Sequence, residues 1–565
     1  MMKRSAPFLL LSAVAMLLYG HTLQVPLYLD DVFNIAQNPA VMDLGLALKG
    51  VFARRGLSIL TFALNYRLDG QNLLGFHLVN IVIHLSAAMT VLLLLRRVFP
   101  LRPWMSLVGA LVFLAHPLQT QGVTYLVQRM TSLSALFFLL SLYLFVRARE
   151  ILAIGGNFNE RRHLIWYAGA LLAGGLSILA KENAVVLPVA LLLFTRVFLP
   201  DAGPERRWRP LLTYTAPFFV LPLLAVVIYL LLPVATGPEL KTLGSSGLLN
   251  NIQGNSPLHY LVTEFKVLWI YIRMLFLPYG QALDHAYPVS QQLLTLESIA
   301  GLFGLLGLLG LAWRLLSRQP AIACGILWFF LTLAIESSLI PLDPLFEHRL
   351  YLPMFGFSLL LPALLALLPR PEVQVGAAVT ILLVLGVMTW QRNALWNEPF
   401  AFYADNLRVA PHNERVMFNL WEAYRGIGQF EEAERLLAMS IERNPRIDMS
   451  YIALKEIYTA QNRTEDMIDM LHYGVEHLPK NIALYNALAF AYAKKGDIGT
   501  AISFLKQAIA INPGDAQTYY GLAQMYAFSG EKELIELNLR KVLSIDKNHA
   551  EARGMLADLL KEQEP

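Results

Sequence analysis

The hydrophobic pattern of the chain changes once, near residue 391. Before that point, apolar runs long enough to cross a bilayer follow one another, separated by short basic loops. They lie at about 8–29, 74–95, 105–125, 132–146, 164–180, 184–199, 211–233, 299–316, 321–336, 352–368 and 373–390. After it, the chain is rich in Glu, Lys, Ala, Leu and Tyr and reads as soluble helix. The pattern predicts an all-α protein: a polytopic membrane domain of about eleven transmembrane helices over 1–391, then a soluble domain over 392–565. One segment breaks the pattern. HYLVTEFKVLWIYIRMLFLP (259–278) is apolar enough to span but carries Glu264, Lys266 and Arg273, so it is expected to lie at the interface or to re-enter the membrane.

Charge orients the spans. Lys3 and Arg4 place the N-terminus in the cytoplasm, and the apolar start reads as a retained first span and not a cleaved signal peptide. Arg96, Arg97, Arg102, Arg147, Arg149, Arg161, Arg162, Arg206, Arg207, Arg209, Arg314, Arg318 and Arg370 then fall on the same side. The C-terminal domain is expected on the outer face.

Composition agrees with a membrane protein: 56% of residues are apolar and 15% charged, with a mean hydropathy of +0.49. A net charge of +4, with no basic stripe carrying interleaved aromatics, argues against a nucleic-acid partner. The single cysteine, Cys324, excludes an internal disulfide and any cysteine-based metal cluster.

After residue 410 the sequence repeats itself. Pro411, Pro445, Pro479 and Pro513 recur at 34-residue spacing, as do Tyr424, Tyr458, Tyr492 and Tyr526. Small residues (Gly428, Ala433, Gly496, Ala501, Ala508) are expected where two helices approach closely, and each proline ends a second helix because it lacks an N–H. This looks like a tetratricopeptide-repeat solenoid of about four units over 414–547, preceded by the helix FAFYADNLRV and closed by EARGMLADLLKEQ. Such a groove usually binds peptide or protein.

The predicted topology gathers polar residues from separate spans at the outer face. They are Asp30-Asp31, Arg54-Arg55, His77 with Asn80 and His84, His116, Gln128-Arg129, Lys181-Glu182, Asp284-His285, Glu336 and Glu347-His348-Arg349. Ionisable groups near hydrocarbon are costly and usually face an internal cavity. Each has a plainer reading. Asp30 and Asp31 suit a helix start, His77 and His84 polar packing between helices, His116-Pro117 the shaping of a span end, and Lys181-Glu182 a local ion pair. Asp284-His285 and Glu347-His348 lack the fixed spacing of metal ligands. No metal and no cofactor is expected.

The motifs and their order resemble the transmembrane and tetratricopeptide repeat-containing O-mannosyltransferases, which belong to the membrane glycosyltransferases with the C-type fold. The residues that carry the resemblance are DDVFNIAQN (30–38), RGLSILTFALNY (55–66), GFHLVNIVIH (75–84), HPLQTQGVTYLVQR (116–129), SILAKEN (177–183) and EHRLYLP (347–353). Gln119 and Gln121 stand where the eukaryotic pattern has His and Glu, and His348 displaces the motif's arginine by one. These departures fit a bacterial branch, hence a bacterial cytoplasmic membrane with the repeats in the periplasm.

The resemblance implies transfer of a sugar, mannose by analogy, from a polyprenyl phosphate to protein Ser or Thr hydroxyls, with inversion. Asp30 is then the base and Asp31 its orienting neighbour, although sequence alone does not separate the two. Arg129, Lys181, His348 and Arg349 are expected at the donor phosphate. Glu182, His77, Asn80, His116, Glu347, Asp284 and His285 are expected to support the site. The partners implied are a polyprenyl-phosphate-linked sugar, membrane lipid and an acceptor protein in the repeat groove. The alternatives are transfer to a lipid or surface glycan, a transporter or flippase, whose repeated halves are not detected, and a membrane-anchored repeat scaffold. The Gly-, Ser- and Asn-rich stretch 234–258 reads as a cover over the lipid-phosphate site or as a linker.

Overall fold

The computed structural model describes residues 2–153, 159–199, 208–231 and 256–561. The stretch 234–258 lies outside them up to residue 255, as do Arg206 and Arg207. The described residues are helical with no strand, and they form two compact units, Met1–Ala410 and Pro411–Pro565.

In the first unit the longer helices are α1 (Met2–Tyr19), α2 (Gly56–Asp69), α3 (Leu73–Val98), α4 (Pro103–Ala115), α5 (Arg129–Ala153), α6 (Arg161–Ala180), α7 (Leu187–Phe198) and α8 (Trp208–Leu231). They continue with α9 (Pro257–Phe276), α10 (Leu296–Leu315), α11 (Pro320–Leu333), α12 (Pro353–Leu365), α13 (Pro371–Leu395) and α14 (Pro399–Val409). All eleven expected spans are helices, but only seven are long and apolar enough to cross a bilayer: α1, α3, α5, α6, α8, α10 and α13. The other four, α4, α7, α11 and α12, have 12 to 14 residues. A helix of that length rises about 20 Å, short of a hydrocarbon core of about 30 Å. Chemistry at their ends explains the shortfall. His116-Pro117 follows α4, and proline occupies the first turns of α7 and α12. The missing length is taken up by tight turns at 117–128, 182–186 and 334–352. Irregular backbone is tolerated at such depth only where protein covers it, and these turns carry much of the polar cluster. Helix α9 is not among the seven and buries one face, including Tyr260, Glu264 and Tyr271.

Lipid offers no hydrophobic drive between helices, so close packing and polar contacts hold them. On α5 and α6, Ser134 Oγ donates to Ser177 O (3.0 Å) and Ser177 Oγ to Ser134 O (2.8 Å). Helices α11 and α12 cross at Gly325 and Gly356, where a Cβ on either would lie within 2.7 Å of the other's carbonyl oxygen. Arg97 on α3 and Arg147 on α5 share Glu150, so the basic ends of these helices lie on one side, as charge predicted.

The first unit extends past the boundary expected at 391. Helix α14, assigned from sequence to the repeat domain, packs on the membrane unit: Phe402 lies 4.3 Å from the Trp396 ring and 4.7 Å from Tyr28, and Arg392 pairs with Asp405 at 2.9 Å. Its apolar stripe suits either surface, so sequence did not reveal the choice.

The second unit is four helix pairs: α15 (Glu414–Gly426) and α16 (Phe430–Arg443), α17 (Asp448–Ala460) and α18 (Thr464–His477), α19 (Ile482–Lys495) and α20 (Ile498–Ile511), α21 (Ala516–Ser529) and α22 (Lys532–Ile545). Helix α23 (Ala550–Lys561) closes the stack. Ala433, Ala501 and Ala508 are fully buried where helices meet, as expected. Gly428 and Gly496 are not at a close approach, since a Cβ there meets nothing within 4 Å. They turn the chain in left-handed conformation (φ 75° and 91°), and the same place in each repeat is filled by Asn462 (φ 57°) and Gly530 (φ 75°). The repeated glycine is a turn signal and not a packing signal.

Candidate functional site

The site forms at the end of the bundle where α1 gives way to turns. Leu29 is left-handed (φ 39°), an uncommon conformation for a branched residue, and it delivers Asp30 and Asp31 to different surroundings. Asp31 is buried; its Oδ2 accepts from Tyr28 N (3.1 Å) and its Oδ1 from Val127 N (2.7 Å). Burial pushes its carboxyl up to about 8, while these two N–H groups pull the other way. Asp31 therefore fastens the turn after α1 to the turn before α5. Asp30 is half-buried, its N–H donates to Tyr125 Oη (2.9 Å), and its charge acts on Arg55.

Arg54 and Arg55, just before α2, grip Glu182 after α6. Arg54 Nε lies 2.8 Å from Glu182 Oε1, and Arg55 Nη2 lies 3.0 Å from the same oxygen. The two cations hold Glu182 far below the usual carboxylate range despite burial, and Arg55 is held up by Glu182, Glu336 and Asp30. Beside them Lys181 Nζ pairs with Glu336 Oε1 at 3.0 Å in a nearly water-free setting and donates to Thr131 Oγ1 at 3.1 Å. Such a buried pair holds geometry more than it adds stability.

Arg349 closes the ring. Its guanidinium donates to Pro344 O (2.9 Å), Asp343 O (2.6 Å) and Tyr260 Oη (3.4 Å). Among the described residues it has no carboxylate at ion-pair distance, though Glu336 and Glu264 act on its charge. Next to it the Nδ1 of His348 is buried with no hydrogen-bond partner among the described residues, and burial with Lys181, Arg349 and Arg55 keeps the ring neutral. Asp30, Arg55, Lys181, His348 and Arg349 thus form one connected cluster. It pairs a half-buried carboxylate with cations able to receive an anion.

Other expected site residues serve the scaffold. Arg129, expected at the phosphate, is fully buried with its donors taken up by protein: Nε donates to Asn80 Oδ1 (2.6 Å), Nη1 to Asn65 Oδ1 (2.6 Å) and Thr61 O (3.2 Å), and Nη2 to Phe76 O (2.8 Å). The guanidinium also covers the Phe62 ring at 4.3 Å. These acceptors occupy its donors, so Arg129 ties α2, α3 and α5 together. His77 Nε2 meets Val25 O (2.9 Å), and His116 bridges Leu275 O (3.0 Å) and the Leu118 N–H (3.3 Å). Glu347 is a latch: its carboxylate receives Ala282 N (2.6 Å), Gln281 Nε2 (2.8 Å) and His285 Nε2 (3.1 Å). Asp284 caps the same loop through Ala286 N (2.8 Å). Gln121 joins this loop to His348, donating to Ala282 O (2.6 Å) and accepting from His348 N (3.2 Å). Among the described residues no three His, Cys, Asp or Glu side chains gather to hold a metal ion.

The sequence singled out Arg54, Arg55 and Glu336 as polar clusters and Glu264 as a charge in an apolar segment without assigning them to the site, and it did not point to Tyr260 or Thr131. The available signal was Glu264 itself, a carboxylate in an otherwise apolar helix.

A tetratricopeptide repeat model matches residues 482–515. The human protein O-mannosyl-transferase TMTC1 is 30% identical over 195 residues, which is 32% of this chain and 22% of that one. The Caenorhabditis elegans protein O-mannosyl-transferase F38B6.6 is 23% identical over 466 residues, covering 77% of this chain and 62% of that one. The chain therefore spans less than two thirds of the length of either relative. Among solved structures, a crystal structure of MamA matches with 20% identity and a TM-score of 0.24, over 27% of this chain and 89% of that one.

Proposed function

We propose that this membrane protein, a relative of the TMTC-type protein O-mannosyl-transferases, moves mannose from a polyprenyl phosphate to Ser or Thr hydroxyls of proteins. Asp30 accepts the hydroxyl proton as the new bond forms, because a hydroxyl is a weak nucleophile without a base. A single displacement inverts the anomeric carbon. Arg55, Lys181 and Arg349 balance the negative charge that builds on the departing phosphate. The reaction belongs to the outer face of a bacterial cytoplasmic membrane, with the N-terminus inside and the repeats in the periplasm recruiting acceptor protein.

The observation that carries this reading is the difference between the two acids. Both oxygens of Asp31 are engaged by backbone N–H groups, whereas Asp30 is half-buried and within reach of the Arg55 charge. Membranes containing the chain, supplied with radiolabelled polyprenyl-phosphate mannose and periplasmic protein, test it. Asp30→Asn at equal expression is expected to lower kcat by about 10²-fold or more with little change in donor KM. Equal labelling by parent and variant removes Asp30 from the mechanism. No labelling by the parent rejects mannosyl transfer to protein.

A further inference from the structure

Among the described residues, five buried polar atoms around Arg349 have no hydrogen-bond partner: both carboxyl oxygens of Glu264, Glu336 Oε2, Ser337 Oγ and His348 Nδ1. A buried polar atom left unsatisfied is destabilising, so a cluster of them calls for a partner that satisfies it. Glu264 stands out because it is fully buried, faces Tyr260 and Ser337, and yet neither oxygen has a hydrogen bond of ordinary geometry. Among the described residues Arg349 donates to carbonyl and phenol oxygens and has no carboxylate at ion-pair distance.

We propose that Glu264 tunes the grip of Arg349 on the lipid-linked phosphate, holding a proton while the anion is bound and releasing it when the anion leaves. The inference rests on the phosphate reading above. A neutral Glu264 leaves the Arg349 charge for the phosphate; an ionised Glu264 competes for it. Binding then takes up one proton from solvent and release returns it, with no covalent change. The groups facing Glu264 are Arg349 and Glu336 on the segment after α11, Tyr260 and Tyr271 on its own helix, and Tyr287 on the loop after α9. Lys181 acts through Glu336. Burial pushes Glu264 up to about 7, with Arg349 opposing and Glu336 adding to the shift. His348 stays neutral near that pH, and Asp31 is turned to the N–H groups of Tyr28 and Val127. Glu264 is a positioning residue, because it acts through Arg349.

The test is binding of a short-chain prenyl phosphomannose to the full chain in detergent. This phosphodiester keeps one negative charge between about pH 6 and pH 8, so the ligand's own titration does not enter. The parent's Kd is expected to rise about tenfold across that range, and Glu264→Gln to hold the parent's low-pH value throughout. Binding heats in two buffers of different ionisation enthalpy should show proton uptake by the parent and none by Glu264→Gln. Ser337→Ala, which disturbs the same pocket without a titratable group, should keep the parent's slope. A slope that persists in Glu264→Gln overturns the proposal, as does one that vanishes equally in Ser337→Ala. No binding at any pH overturns both this inference and the lipid-phosphate reading beneath it.

Discussion

Asp31 accepts hydrogen bonds from the backbone of Tyr28 and Val127, and its removal strands both donors in the interior. Each stranded N–H costs about 1–3 kcal/mol, so Asp31→Ala should lower the thermal midpoint and cut activity through loss of folded protein. Asp30→Asn should leave that midpoint unchanged. Stability should also vary with pH through Asp31. Burial pushes its folded carboxyl up to about 8, well above the ordinary 3.8 of the unfolded chain. Between those values the unfolded chain has released a proton that the folded chain retains, so this contribution to stability falls as pH rises. Thermal midpoints in detergent at about pH 5 and pH 8 check it: the parent should lose more than Asp31→Asn. Two adjacent aspartates look alike in sequence. Only the left-handed turn at Leu29, which no local residue type advertises, sends one inward and leaves the other at the cluster.

Close approaches set the tolerance of the helices. A side chain at Gly325 meets the Gly356 carbonyl at 2.6 Å, a backbone atom that has nowhere to retreat. Gly325→Val should therefore cost about 1–3 kcal/mol, read as a lower thermal midpoint, while substitution at Gly307, which faces open space, should not. In the repeats, Gly496→Ala should cost about 1 kcal/mol through its left-handed backbone alone. Asn462→Gly, at the equivalent turn, should be neutral or slightly stabilising. Hydropathy located all eleven apolar helices but overran the ends of several, those of α1 and α4 by about ten residues. The turn at 117–128 is itself buried and partly apolar, so composition continues where the helix stops. The 34-residue period was legible because each repeat buries the same positions.

At the scale of the molecule, the division at Ala410–Pro411 predicts that residues 411–565, expressed alone, fold as a soluble helical unit with a cooperative melt by circular dichroism. A fragment starting at 392 should behave worse, because α14 would expose Phe402 and Tyr403. Sequence exposed the gathering of polar groups at one end of the bundle, since charges are rare in apolar runs. It did not say which of them bind each other, because Arg129 and Arg349 look equivalent until their acceptors are seen. That difference reaches back to how the chain is made. The partners of Arg129 (Thr61, Asn65, Phe76 and Asn80) all precede it in the chain. A guanidinium near hydrocarbon is costly unless protein groups receive it. During synthesis its receptors have left the ribosome before it does, so the order of translation supplies the shelter that the bilayer denies.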